Sequence, residues 1–170
     1  IGWDALRDVI LQLLDALAHA HARGVVHRDL KPGNVLLCGP EDLRPGLKLA
    51  DFGIAHAVEK TDAFSASGTS KAIGTLHYMA PEQIRANMAD YGPGTDLYAL
   101  GHMVWHLLSG HVAFKGRNGM ALVRAQLDMP LPELVGQVVP EGFMDWLRIC
   151  TAKDPADRFH YAADAARALA

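Results

Sequence analysis

The sequence is poor in cysteine, and its two thiols, Cys38 and Cys150, stand far apart with no second cysteine close to either. A disulfide framework requires several cysteines, and a structural zinc site requires ligands in closely spaced pairs. Neither is therefore expected. Isolated thiols of this kind are typical of small buried or half-buried side chains in a reducing, cytosolic setting.

A long apolar segment is also missing. The longest one, around Leu97 to Leu108, is interrupted by His102 and His106 and is shorter than the roughly 20 residues that a bilayer requires. No signal-peptide pattern is visible at the start of the chain. The sequence therefore predicts no membrane span in this chain and a cytoplasmic location, although the full-length protein could be tethered to a membrane.

The sequence also lacks an excess of basic residues, because the net charge is −3 and arginine and lysine are scattered along the chain. A nucleic-acid partner is not expected, since it requires clustered positive charge. With 170 residues, half of them apolar, the chain is long enough for one domain with a sizeable core. Its first residue is Ile1 rather than methionine, which favours a chain cut from a longer protein.

One loop concentrates chemically active side chains. Residues 27–34 read His-Arg-Asp-Leu-Lys-Pro-Gly-Asn, between a helical pattern and an apolar run. Asp29 could accept a proton from a hydroxyl, Lys31 supplies a positive charge and Asn34 an oxygen for a metal ion. The loop resembles the catalytic loop of Hanks-type serine/threonine protein kinases, and in style that of their bacterial members.

This resemblance implies a reaction, cofactors and roles. The reaction is transfer of the ATP γ-phosphoryl group to a serine or threonine hydroxyl of a protein substrate, with ATP and Mg²⁺ as cofactors. Asp29 would orient the hydroxyl and take its proton, and Lys31 would steady the transferring group. Asn34 would bind Mg²⁺, and Leu36, on the next strand, would form the floor beneath the adenine ring.

A second motif, Asp51-Phe52-Gly53, directly follows a predicted strand. A carboxylate at the end of a strand, followed by an aromatic anchor and a glycine, suits a firmly held Mg²⁺ ligand. Three residues alone are a weak signal. One hairpin after Asn34, however, they resemble the kinase metal-binding triplet, in which Asp51 would bridge the phosphates through Mg²⁺.

Residues 51–82 then resemble a kinase activation segment. Its middle is rich in small and hydroxyl residues, which is typical either of a mobile loop or of a loop that accepts regulatory phosphate. Arg28 favours the second interpretation, because an arginine beside the catalytic aspartate can pair with a phosphorylated loop. By position, Ser67 and Thr69 are the candidate phosphosites.

The segment closes with residues 74–82, Gly-Thr-Leu-His-Tyr-Met-Ala-Pro-Glu, which resemble a kinase motif throughout. The resemblance implies that Thr75 forms hydrogen bonds with Asp29 and Lys31. It also implies a buried ion pair between Glu82 and Arg158, as structural support rather than chemistry.

The rest of the chain is predicted to be mainly helical. Apolar spacing predicts a first helix from Trp3 to about Ala22, and we interpret His19 and His21 as helix-end or surface histidines. A central buried helix is predicted from a Thr95 cap to Leu108. By resemblance, its Asp96 would hold the backbone of the catalytic loop. Short strands are predicted at 35–37 and 47–49, and later helices at 118–127, 140–151 and 161–169.

The predicted fold class is therefore α+β, mainly α: a protein-kinase-like large (C-terminal) lobe, residues 1–170, in which short β-hairpins carry the catalytic and metal-binding loops. The small N-terminal lobe and the hinge are absent. No Gly-x-Gly-x-x-Gly loop occurs, and residues 1–26 contain neither lysine nor glutamate for the ion pair that positions the nucleotide phosphates. We therefore expect little activity in isolation, and self-association through the exposed inter-lobe face.

Two alternatives come from other classes. The first is a non-catalytic kinase-like module that binds a partner through the apolar face, including Leu36, that a small lobe normally covers. The second is a small-molecule phosphotransferase with a His-x-Asp…Asn loop. Arg28, Lys31 and the segment 80–82 speak against the second alternative.

Overall fold

The computed structural model describes residues 2–43, 45–53, 74–116 and 118–169. It confirms the α+β, mainly helical prediction, with one small β-hairpin. The helices include α1 (Trp3–His21), α2 (Pro81–Ile84), α3 (Pro93–Ser109), α4 (Gly119–Asp128), α5 (Phe143–Cys150) and α6 (Ala162–Leu169), and the strands are β1 (Val35–Cys38) and β2 (Gly46–Leu49). In the described ranges, no helix is both long enough and apolar enough to cross a membrane.

Helix α1 forms one wall of the core and leads into the 27–34 loop. Its apolar residues recur every three or four positions, so that they line one face of the helix. That face is fully buried against α3 and α6, through Leu6, Ile10, Leu13, Leu14 and Leu17. The chain turns away after the helix at Gly24, whose φ of 73° favours glycine.

The hairpin of β1 and β2 brings two parts of the predicted site to one end. The strands are antiparallel, with Val35 opposite Leu49 and Cys38 opposite Gly46. The pairing continues beyond the strands, because the Ala50 N–H donates to the carbonyl oxygen of Asn34 at 2.9 Å. Asn34, before β1, and the residues after Ala50 therefore meet at the open end of the hairpin.

Helix α3 runs through the centre of the molecule and is buried on nearly every face from Thr95 to Trp105. The predicted start at a Thr95 cap is wrong, since the helix begins at Pro93, the residue after Gly92. Proline suits the first helical position because its missing N–H would have no partner there. Thr95 lies in the first turn instead, and its hydroxyl accepts a hydrogen bond from the Gly92 N–H at 3.2 Å.

A glycine in α3 permits close packing against α5. A methyl group added at Gly101 would lie 2.6 Å from Cγ2 of Thr151 and 3.1 Å from Cβ of Cys150. We expect Gly101→Ala to destabilise the fold by about 1–3 kcal/mol, because the two helices must separate. Gly94→Ala is the matched control on the same helix, since the added methyl would meet no atom closer than 3.7 Å. Urea unfolding of both variants tests this, and equal midpoints would contradict it.

His102, two turns into the buried part of α3, is fully buried, and neither ring nitrogen has a hydrogen-bond partner among the described residues. Burial, followed by the charges of Lys153, His77 and Arg158, lowers its pKa from 6.5 to about 3. Between these two values, the unfolded chain binds a proton that the folded chain does not. Lowering the pH through this window therefore favours unfolding.

We expect the free energy of unfolding to fall as the pH drops from 6.5 towards 3, and His102→Leu to flatten this part of the profile. Denaturant titrations at several pH values measure the effect. His19→Gln is the control because His19 is exposed. An unchanged acid profile in His102→Leu would contradict the assignment.

Candidate active site

The backbone of the 27–34 loop is held by Asp96, in the first turn of α3. One carboxylate oxygen accepts the His27 N–H and the other accepts the Arg28 N–H, both at 2.8 Å. The Nε2 of His21 lies 2.8 Å from the first of these oxygens. Because Asp96 is only 1% exposed, these donors replace the water that the carboxylate would otherwise bind.

His21 ends α1, as the helix-end interpretation expects, but the alternative of a surface histidine is wrong. Its side chain is only 4% exposed and lies against Asp96, 75 positions along the sequence. The helical pattern correctly placed His21 near the end of α1. It carried no information about which distant carboxylate would meet that end.

Arg28 adopts a φ of 66°, a left-handed conformation that is uncommon for a residue other than glycine. It is held from both sides, since Asp96 accepts its N–H and the Gln83 side chain donates to its carbonyl oxygen at 2.7 Å. The Arg28 guanidinium is 5.7 Å from the ring centroid of Tyr91. Sequence reasoning gave Gln83 no role, and no motif position could have indicated one.

Four of the predicted site residues, Asp29, Lys31, Asn34 and Thr75, form one connected group of hydrogen bonds. Lys31 Nζ donates to Oδ2 of Asp29 at 2.7 Å and to the hydroxyl of Thr75 at 3.1 Å. Asn34 Nδ2 donates to the Asp29 carbonyl at 2.8 Å and to Oδ2 at 3.1 Å. A carboxylate, an ammonium group, a hydroxyl and an amide thus share one small volume, which suits proton acceptance beside a developing negative charge.

The imidazole of His27 links this centre to the 51–53 motif. The Asp29 N–H donates to Nδ1 at 3.3 Å, so Nε2 carries the proton and donates to the Ala50 carbonyl oxygen at 2.9 Å. The Phe52 ring lies 4.6 Å from the imidazole, between centroids. Gly53 donates its N–H to the His27 carbonyl oxygen at 2.8 Å, and a methyl group on Gly53 would lie 2.9 Å from that oxygen.

Asn34 and Asp51 lie at the open end of the hairpin, as the backbone pairing of Ala50 requires. Asp51 is exposed and has a φ of 53°. The Asn34 amide nitrogen faces Asp29, which leaves its carbonyl oxygen as the group able to bind a cation. Carboxylate and amide oxygens fit Mg²⁺, which is commonly held by one or two protein ligands together with substrate phosphates.

The described residues contain no group of three or more histidine, cysteine, aspartate or glutamate side chains arranged to hold a metal.

The other predicted residues take separate places. Glu82, on α2, forms a two-pronged ion pair with Arg158 at 2.8 and 2.9 Å, in which both side chains are almost fully buried. Leu36 lies on β1 and is 49% exposed. The candidate phosphosites Ser67 and Thr69 lie outside the described residues, as does all of 54–73.

Cavity volume does not locate this site. A cavity of about 320 Å³ lies beside Trp105, Val112 and Pro132, and none of the candidate site residues lines it. The cleft beside Asp29 and Thr75 is only about 10 Å³ in the described part of the chain. The chemistry, rather than the size of the opening, identifies the candidate active site.

Known proteins resemble this chain over nearly its whole length. The family profile described as protein kinase domain matches residues 1–167. The serine/threonine-protein kinase PknL of Mycobacterium tuberculosis is 39% identical over 153 residues, which are 89% of this chain and 36% of that protein. PrkC of Bacillus subtilis is 35% identical over 159 residues, 92% of this chain and 23% of that protein.

A third relative, a probable serine/threonine-protein kinase PknB of Lactococcus lactis, is 33% identical over 158 residues, which are 92% of this chain and 24% of that protein. The chain therefore spans between about a quarter and about a third of the length of these bacterial relatives.

Proposed function

Because the chain belongs to the protein kinase family, we propose that it is the large lobe of a bacterial Hanks-type kinase that transfers the ATP γ-phosphoryl group to serine or threonine of a protein. The observation that carries the proposal is the contact of Lys31 with both Asp29 and Thr75. It joins the 27–34 loop to the 74–82 motif at the point where a hydroxyl would react. A small-molecule phosphotransferase would not require this second motif.

In the proposed reaction, the substrate hydroxyl oxygen forms a bond to the γ-phosphorus while the bond to the departing ADP oxygen breaks. Asp29 orients the hydroxyl and receives its proton. Lys31 places a positive charge beside the oxygens of the transferring group. Thr75 helps to hold Lys31 through its hydroxyl, 3.1 Å from Nζ.

Mg²⁺ would be held by the Asn34 and Asp51 oxygens together with ATP phosphates, and would neutralise their charge. Asn34 is already fixed by its hydrogen bonds to Asp29, so its free oxygen requires little reordering. We place Leu36 beneath the adenine ring. Its 49% exposure leaves apolar surface for a flat ring to cover.

We assign residues 1–170 to the large lobe and 51–82 to its activation segment, with Ser67 and Thr69 as candidate phosphosites. Arg28 would pair with the phosphate. The small lobe and hinge would come from the rest of the full-length protein and cover exposed apolar surface that includes Leu36. Without that cover, we expect the chain to self-associate.

The proposed setting is the cytoplasm, where ATP and protein substrates are available. A membrane tether elsewhere in the full-length protein is compatible with this setting. A role as a non-catalytic binding module gains no support from the site. The carboxylate, lysine, asparagine and threonine that phosphoryl transfer requires are all present and in contact.

The test compares the full-length enzyme with the 170-residue chain, using Mg²⁺, γ-labelled ATP and a generic protein substrate. We expect Mg²⁺-dependent transfer by the full-length enzyme, and little transfer by the isolated chain once circular dichroism shows that it is folded. No transfer by the full-length enzyme would overturn the kinase proposal. Transfer by the isolated chain would show that a separate small lobe is unnecessary.

A further inference from the structure

One buried side chain on α4 forms hydrogen bonds with the backbone of the segment from Thr75 to Tyr78. Gln126 is 0% exposed, and its Nε2 donates to the carbonyl oxygens of Leu76 at 3.0 Å and His77 at 2.7 Å. Leu76 and His77 are the two residues that directly follow Thr75. The backbone beside the predicted reaction centre is therefore fixed by a residue about 50 positions away.

The chemistry of the partners determines the orientation of the Gln126 amide. Leu76 and His77 present carbonyl oxygens, which can only accept, so the NH₂ group must face them. The other end, Oε1, accepts the Tyr98 hydroxyl at 2.7 Å. A carboxylate of the same shape could not satisfy this arrangement, because it has no protons to donate.

The network continues to Lys153, whose Nζ donates to the Tyr98 hydroxyl at 2.8 Å and to the backbone oxygen of Gln126 at 2.9 Å. Burial raises the pKa of the Tyr98 hydroxyl, so it keeps its proton and remains a donor to Gln126. Each group donates to the next, from Lys153 to Tyr98, from Tyr98 to Gln126 and from Gln126 to the 76–77 carbonyls. Hydrogen bonds in such a chain strengthen one another.

This arrangement anchors the segment to rigid elements. Tyr98 belongs to the central helix α3, Gln126 to α4, and Lys153 to the turn that follows α5. At the start of the segment Thr75 accepts a hydrogen bond from Lys31 of the reaction centre at 3.1 Å, and at its end the Tyr78 hydroxyl lies 2.6 Å from Nδ1 of His106 on α3. No hydrogen bond of Gln126 reaches Asn34 or Asp51, the residues assigned to the nucleotide and its metal.

We infer that Gln126 is a positioning residue that sets the backbone of 75–78 against which the protein substrate docks. The inference rests on the proposed kinase function. It adds that Gln126 affects the binding of the protein substrate and not the binding of ATP. Loss of the amide should therefore raise the KM for the protein substrate and leave the KM for ATP unchanged.

The principal variant is Gln126→Glu in the full-length enzyme, which retains the shape and removes both donors. We expect the KM for the protein substrate to rise about tenfold or more, as expected when buried acceptors lose their partners, with the KM for ATP within about twofold of wild type. Tyr98→Phe is the milder second variant, because it removes only the hydroxyl that orients the amide. It should act in the same direction with a smaller effect.

Two controls separate positioning from stability. Arg124→Ala changes an exposed residue of α4 and should leave both KM values unchanged. Leu147→Ala removes buried volume in another part of the core and should lower Tm without changing the ratio of the two KM values.

Hydrogen exchange gives a readout that does not depend on activity. The amides of 75–80 should exchange faster in Tyr98→Phe than in wild type, while those of α1 should not change. If wild type shows no transfer, the proposed function fails. If wild type is active and both variants lower Tm but keep the wild-type KM for protein substrate and the wild-type exchange, Gln126 is only structural and the inference is overturned.

Discussion

Asp29→Asn in the full-length enzyme is expected to lower kcat by about 10²–10⁴-fold, the usual contribution of a positioned general base. The amide cannot accept the hydroxyl proton. It also loses the charge that draws Lys31 Nζ to within 2.7 Å of Oδ2. The KM for ATP should change little, since nucleotide and metal are assigned to Asn34, Leu36, Asp51 and the proposed small lobe.

Steady-state transfer of γ-labelled phosphate measures this effect. Asp15→Asn is the matched control, because it makes the same chemical change at an exposed position of α1 and should leave kcat unaltered. Near-normal turnover by a folded Asp29→Asn protein would remove Asp29 from the proposed role.

Arg158→Ala is expected to destabilise the fold by about 3–5 kcal/mol, because it leaves the Glu82 carboxylate charged and buried without its partner. The pair is bidentate at 2.8 and 2.9 Å, and the two side chains are 0% and 1% exposed. Thr95 also donates to Oε1 of Glu82 at 2.8 Å, and one hydrogen bond cannot replace a buried cation. The corresponding fall in Tm is roughly 6–20 °C.

Thermal and denaturant unfolding measure this prediction. Arg148→Ala is the control, since Arg148 pairs with Glu133 and Asp145 at the surface and should shift the midpoint very little. A double variant, Glu82→Gln with Arg158→Met, should cost less than the sum of the two single variants, because no unpaired charge remains. Equal midpoints for Arg158→Ala and Arg148→Ala would contradict a buried pair.

Features with a short sequence range were predictable. The three- and four-residue spacing of leucine and isoleucine specifies α1, and the alternation around Lys48 specifies a strand of the hairpin. Asn118 was placed at the start of a helical pattern, and its side chain does cap α4 by accepting the Ala121 N–H at 2.9 Å. The predicted start of α3 is wrong by three residues, because the cap is Gly92 rather than Thr95 and Pro93 begins the helix.

Long-range partners were not predictable from spacing. The ion pair of Glu82 with Arg158 was expected only from the family resemblance, since the residues are 76 positions apart. His21 and Gln126 belong to no motif, and each meets its partner only after helices have packed. Periodicity specifies which face of a helix is buried and carries no information about which polar group lies opposite.

Phosphoamino-acid analysis of a protein substrate, after incubation of the full-length enzyme with γ-labelled ATP and Mg²⁺, tests the proposed serine/threonine transfer. A site that joins Asp29, Lys31 and Thr75 should place the label on serine or threonine, and chelation of Mg²⁺ should abolish the transfer. Label on tyrosine or on a small molecule, or label that survives chelation, would contradict the account.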